Sequence, residues 1–318
     1  MKILDFNYIK SLNISPLQVY NWCIEAWKIK DDCVLPTKMK MWQGEFGRYI
    51  TMPCVIPQID VAGVKFIARN IDDANGIPAR NSNIMIQKCS EMGLIGILDG
   101  IWITNMRTGA IAARSAVQYA KKNPQTIGIM GLGRAAWSFM YIFGSVVQNK
   151  LTIKLLKYKD QAERFVNRFV TAFPNFTFEI IDNVKDICSC DIVVSAISYS
   201  HAEIANESVY KPGCLIVPIH QGGFQNCDIA FDRIAIDDYG HIKGFRYYDE
   251  VVKKSVEMSK VEKGVNEGRQ DDTQRMIAYC GGIAVHDIYI ADKILKISEE
   301  KGNAPDIKMT FPDSNLWI

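Results

Sequence analysis

Residues 126–147 read as strand, glycine turn and helix in immediate succession, and this order constrains everything around it. Thr126-Ile-Gly-Ile-Met130 suits a buried strand, with Gly128 the one poor strand former. Gly131-Leu-Gly133-Arg-Ala-Ala136 follows, and the apolar run Trp137–Val147 is long enough for a helix packed on a sheet. A Gly-x-Gly-x-x-Ala turn in that setting is a dinucleotide-binding signature. The first glycine permits a tight turn, the second lets backbone approach a pyrophosphate, and Ala136 allows close helix–strand packing. Free N–H groups at the helix start would hold the phosphate charge.

Strands and helices alternate beyond the turn, as a parallel doubly wound sheet requires. Strands are expected at Leu151–Leu156, Phe176–Ile181, Asp191–Ala196, Cys214–Ile219 and Arg233–Ile236, with a helix over Asp160–Phe173. Tyr248–Gly264 reads as a charged helix. Asp272–Lys301 reads as a long helical pattern weakened at Gly281-Gly282 and packing back on the N-terminal part. Upstream, Ser15 and Pro16 open an amphipathic helix, and Lys38–Ile56 reads as a meander of strands. Val61–Ala68 is a strand carrying Lys65, and Asn75-Gly-Ile-Pro78 is a turn. Ile84–Gln87 and Leu94–Leu98 pair, and Arg107–Lys121 is an alanine-rich helix. The fold expected is α/β: a Rossmann-type doubly wound domain over 121–284, and an α+β domain made of 1–120 with 285–318.

The composition excludes several classes. Net charge is +2 with no basic tract, so nothing points to nucleic acid. Met1–Lys10 has neither the charged nor the apolar region of a secretory signal, and no apolar stretch reaches membrane-spanning length. The nine cysteines are scattered, without Cys-x-x-Cys, and read as reduced thiols of a cytoplasmic protein rather than metal ligands.

Several short segments together carry a family resemblance. Gly63-Val-Lys65, Gly76-Ile-Pro78, Leu98-Asp-Gly100, Arg107-Thr-Gly-Ala110, Gly131-Leu-Gly133, Cys190–Val194 and Glu267-Gly-Arg-Gln-Asp271 fall in order over roughly residues 15–310. In this the chain resembles the ornithine cyclodeaminase/mu-crystallin family. Arg-Thr-Gly-Ala, one helix before the glycine turn, is the most specific element. The resemblance implies a nicotinamide cofactor, chemistry at the carbon–nitrogen bond of an amino or imino acid, and a homodimer. It also implies that 1–120 with 285–318 binds substrate and forms the dimer.

An α-amino acid needs a cation for its carboxylate. Lys65, inside an apolar strand, fits that need; the plain alternative is an edge lysine with its amine in water. Arg107, at the expected start of a helix, opposes the helix dipole. Either an anion resolves the conflict or the residue is a surface arginine. The family's further cation aligns best with Lys38, with Lys40 and Arg48 close by. The candidate cofactor contacts are Arg107, Thr108, Gly131, Gly133, Arg134, Ala135 and Ala136, then Ser195 and Ile197 at a later strand end. Lys157 and Lys159 stand where an acid would hold ribose hydroxyls. They favour NADP(H), with NAD(H) the alternative, unless they are simply a solvated strand end.

The chain also departs from the family. The cyclodeaminase aspartate aligns with Gly222, which puts ornithine cyclisation in doubt; His220 is the nearby group able to move a proton, or a structural histidine. Ala79 and Ala135 replace a cofactor-contacting threonine and a glutamine, and Ala278-Tyr-Cys280 replaces Phe-Asp-Ser. The leading expectation is an NAD(P)H-dependent imino-acid or ketimine reductase, or amino-acid dehydrogenase, of amino-acid metabolism. Lys65 and Arg107 would hold the substrate and His220 would supply a proton. The alternatives are a cyclodeaminase with a substituted base and a non-catalytic NADPH-dependent binder of mu-crystallin type.

Overall fold

The computed structural model describes residues 1–44, 47–70, 80–198, 200–220 and 222–308. The chain divides into two compact units: Met1–Ile14, Asp32–Ile103 and Asp287–Ile318 form one, and Ser15–Asp31 with Thr104–His286 the other. The Asn75–Pro78 turn and Ala79 lie outside the described residues. Among those described, no helix is long and apolar enough to cross a membrane.

The first unit is built on a six-stranded sheet. Its strands are β1 (Lys2–Leu4), β2 (Met39–Trp42), β3 (Gly47–Ile56), β4 (Val61–Asn70), β5 (Arg80–Lys88) and β6 (Gly93–Asp99), in the order β1-β6-β5-β4-β3-β2. β2 to β6 form an antiparallel meander, and β1 adds in parallel to β6. Alternation along such strands sends successive side chains to opposite faces. One face buries Met52, Cys54, Ile56, Ile84, Ile86 and Leu98. The Ala284–Lys301 helix, from Asp287 onward, covers it where the sheet has no side chains. A Cβ on Gly63 would meet Ile288 at 2.7 Å, and one on Gly96 would meet Leu295 at 2.8 Å. The opposite face is also apolar but open: Met39, Met41, Tyr49, Phe66 and Met85 are 37–61% exposed, and the Tyr49 and Phe66 rings stack at 5.4 Å.

The second unit carries an eight-stranded, wholly parallel sheet: β7 (Thr126–Met130), β8 (Leu151–Leu156), β9 (Phe176–Ile181), β10 (Ile192–Ser195), β11 (Leu215–Pro218), β12 (Arg233–Ile236), β13 (Ser255–Glu257) and β14 (Met276–Tyr279). The order is β13-β12-β14-β11-β10-β7-β8-β9. β10, β11 and β14 are buried along their whole length, as continuous apolar runs covered on both faces should be. The chain runs outward from β7 through β8 to β9, then returns to the other side of β7 at β10. The carboxyl ends of β7 and β10 therefore form the topological switch point where ligands of such sheets bind.

Three expectations are corrected. The Arg107 helix begins at Gly100, not Arg107, because the Asp99 carboxylate accepts from the N–H groups of Ile101 and Trp102 and caps it there. Tyr248–Gly264 is not one helix: Tyr248–Lys254 stops, Ser255–Glu257 joins the sheet as β13 through buried Val256, and Met258–Glu262 resumes. Residues 272–283 are not helical. Met276–Tyr279 is β14, and the helix begins only at Ala284, after Gly282 at φ +74°. A four-residue apolar run is too short to show its period, and proximity to a long helix masked it.

Candidate active site

The glycine turn leaves β7 at the switch point. Gly131 has φ +79°, and a Cβ there would lie 2.4 Å from the Ile197 backbone nitrogen, so only glycine fits. Gly133 is the N-cap of the Arg134–Val146 helix; no side chain caps that helix start, and a Cβ on Gly133 would meet nothing within 4 Å. The amides of this first helical turn thus face space that the protein does not fill with a capping group. Ala136 is fully buried, while Ala135 is partly buried and Arg134 is exposed. Behind the turn, Gly109 of the Arg-Thr-Gly-Ala segment packs on the backbone of Ser138 and Phe139, where a Cβ would approach to 2.4 Å. The glycine of that segment is thereby explained as helix-on-helix contact, with Thr108 beside it half-buried.

At the end of β8, Lys157 is half exposed and 3.8 Å from the exposed carboxylate of Asp182. Lys159 is exposed in the left-handed region at φ +50°, with its amine 5.5 Å from the Tyr158 ring.

Ser195 closes β10 and His220 follows β11, the neighbouring strand. Parallel register sets Ser195 opposite Pro218 and brings Ser195 Oγ to 2.6 Å from His220 Nε2. Each residue stood out in the sequence separately; their bond follows from strand adjacency, which the sequence does not print. Gly222 has φ +100°, and a Cβ there would come within 2.9 Å of the Ser200 carbonyl oxygen.

Arg107 sits two turns inside its helix, so the dipole argument made for it does not hold; it is buried for another reason. Its guanidinium packs on Gly282, where a Cβ would lie 2.0 Å from a guanidinium nitrogen. The Gly282 N–H donates to Asp237 Oδ2 at 2.5 Å, and His241 Nδ1 stands 3.5 Å from Asp237 Oδ1. Sequence reasoning missed Asp237 and found no case for His241, because a long stretch of chain separates both from Arg107. The double glycine was the available signal.

Lys65 is in the first unit, with no solvent exposure, and its Nζ donates to Asp287 Oδ1 at 2.8 Å. This answers the edge-lysine alternative: the amine is paired inside, not in water. Asp287 was missed for the same reason as Asp237. Lys38 is half-buried ahead of β2, and Lys40 is exposed on it. Arg48, on β3, is half-buried with its guanidinium 5.1 Å from the Trp42 ring.

Comparison with known proteins gives a consistent picture. The chain is 23% identical to an alanine dehydrogenase of Archaeoglobus fulgidus, covering 96% of this chain and 98% of that one. Its fold matches a Thermococcus litoralis Delta(1)-pyrroline-2-carboxylate reductase solved with NADH and L-proline. The TM-score is 0.85 at 16% identity, over 96% of this chain and 100% of the other. It also matches an archaeal alanine dehydrogenase dimer with bound NAD, at TM-score 0.86 and 19% identity, over 98% and 99% of the two chains. Residues 33–302 match the ornithine cyclodeaminase/mu-crystallin family as a whole, and the chain belongs to that family.

Proposed function

We propose that this chain is a nicotinamide-dinucleotide-dependent oxidoreductase acting on the carbon–nitrogen bond of an amino or imino acid, working chiefly as an imine reductase. The observation that carries the reading is the Gly131–Gly133 turn: it stands at the switch point of a parallel sheet, before a helix start that no side chain caps. Backbone donors beside a glycine open to space fit a diphosphate. Relatives named as alanine dehydrogenase and pyrroline-2-carboxylate reductase, one solved with NADH and L-proline, support the substrate class.

When bound, the nicotinamide supplies the two-electron reduction of the imine carbon. The chain's residues bind and orient the substrate and move a proton. In the first unit Lys65, held by Asp287, is the cation proposed for the substrate carboxylate, with Lys38 assisting; in the second unit Arg107 is the other candidate cation. Ser195 Oγ holds the His220 ring through Nε2, and the proton His220 delivers to the substrate nitrogen is the one at Nδ1. Reduction of a preformed imine needs no aspartate at position 222. The backbone there, at φ +100° against the Ser200 carbonyl, disfavours the cyclodeaminase residue.

Thr108, Arg134, Ala135, Ala136 and Ile197 complete the cofactor contacts, with Ser195 lying beside them. Lys157 and Lys159 favour NADP(H) over NAD(H): the Asp182 carboxylate, 3.8 Å from the Lys157 amine, is well exposed and competes only weakly for it. Residues 1–120 with 285–318 bind substrate and form a homodimer. The open apolar face of β2 to β5 suits a second copy of itself, an exposed patch of the kind that marks an interface. All nine cysteines are free thiols, which suits a cytoplasmic location. Purified protein should melt at higher temperature with NADPH than with NADH, and should consume NADPH when given a keto acid and an amine. If neither cofactor moves the melting temperature, the proposal is wrong.

A further inference from the structure

In the first unit Arg48, one candidate for the family's further cation, has a second arginine beside it to which the reading above gives no role. Arg48 on β3 and Arg69 on β4 are directly opposite in register. Like charges directly opposite weaken an antiparallel pair. Among the described residues neither Arg48 nor Arg69 has a carboxylate partner, and the Arg48 Nε is shielded from water with no hydrogen-bond acceptor. Burial, and then the Arg69 charge, lower the Arg48 pKa. Trp42 lies opposite Arg48 on β2, and its ring holds the guanidinium in one orientation.

The register also fixes which face this pair occupies. Met52 pairs with Lys65 as Arg48 pairs with Arg69, four residues further along both strands, so the pair shares the face of Lys65. Four residues of strand separate them by about 13 Å. That span exceeds the reach of one α-carboxylate, but a ligand with a second acid group can meet both ends through these long side chains. Two guanidiniums side by side, one partly desolvated and oriented by a ring, form a site for a planar anion.

We propose that Arg48 and Arg69 form a second anion subsite, and that the substrate is an imino acid bearing a second carboxylate. This rests on the amino/imino-acid reading, and two separate measurements keep the two apart. The first uses no cofactor and no turnover: calorimetric titration of the full chain with glutarate and with butyrate. Glutarate should bind about tenfold more tightly, the value of one charge-assisted pair. Arg69→Gln and Arg48→Gln should abolish that advantage, and Arg69→Lys should keep part of it. The melting temperature of Arg69→Gln should hold or rise, since one of two repelling charges is gone. A fall in melting temperature with the glutarate preference intact would mark a structural pair and overturn the subsite.

The second measurement is kcat/KM with ammonia plus oxaloacetate or 2-oxoglutarate, against ammonia plus pyruvate. The dicarboxylic advantage should fall in Arg69→Gln, through KM. Turnover confined to monocarboxylic imines would overturn the subsite while leaving the activity standing. A glutarate preference lost in Arg69→Gln, with no imine turned over, would uphold the subsite and remove the activity.

Discussion

Lys65 Nζ and Asp287 Oδ1 are 2.8 Å apart, 222 residues distant in the chain, and neither side chain touches solvent. A pair so buried is weak evidence of stability as a whole, but breaking it leaves one uncompensated charge. Asp287→Ala should therefore destabilise the protein by about 3–5 kcal/mol in urea unfolding. Lys65→Met with Asp287→Leu should recover most of that loss yet show no imine turnover, because the carboxylate cation is gone. A double variant with near-normal kcat/KM would remove Lys65 from the mechanism.

Gly109 and Gly133 separate packing from binding. A methyl group on Gly109 meets the Ser138 backbone, so Gly109→Ala should lower stability by about 1–3 kcal/mol. Gly133→Ala meets no protein atom and should leave the melting temperature of the cofactor-free protein within about 1 °C, a change near zero in free energy. It should still weaken NADPH binding at least about tenfold, since the backbone can no longer approach the diphosphate closely. Thermal shift and fluorescence titration on the same two variants read both effects.

Asp228 gives a pH dependence. Burial pushes its carboxyl up to about 6, although the Tyr279 hydroxyl, donating at 2.5 Å, and the nearby Lys254 charge both pull it down. A raised folded pKa stabilises only while the group is protonated, so its contribution is full below the unfolded value near 3.8 and fades as pH rises through 6. Between pH 4 and 7 this residue should cost stability on the order of 3 kcal/mol. Unfolding free energies measured over that range should fall in the native protein and be flatter in Asp228→Asn. Parallel curves would show that Asp228 is not the source.

Lys157 tests the cofactor. Lys157→Glu places an acid at the end of β8, where ribose hydroxyls would be held. The ratio of NADPH to NADH affinity should drop by about tenfold or more, with most of the change in NADPH. An unchanged ratio would leave Lys157 as a solvated strand end.

Much of this architecture could be read in the sequence wherever a local pattern decides the outcome. The glycine turn, the alternation of β3 to β6 and the Ser15 cap each depend on neighbours within a few residues, and each is where the sequence puts it. β13 and β14 were not legible. Each is three or four residues long, beside helix-forming sequence, and becomes a strand only because the sheet supplies its partners. At the site, Lys65, Arg107 and His220 could be picked out singly as polar groups in costly places. Asp287 and Ser195, the partners of Lys65 and His220, and Gly282, on which Arg107 packs, could not be matched to them, because each contact is made by tertiary proximity between residues apart in the chain.

The helix that covers the first sheet begins only at Ala284, long after the meander it completes. Synthesis presents β3 to β6 well before Asp287, the partner of Lys65, whereas the strands of the second sheet lie in one uninterrupted stretch of sequence. The first sheet therefore closes through a contact of very high sequence separation, Lys65 to Asp287, which a chain cut short before residue 287 cannot make.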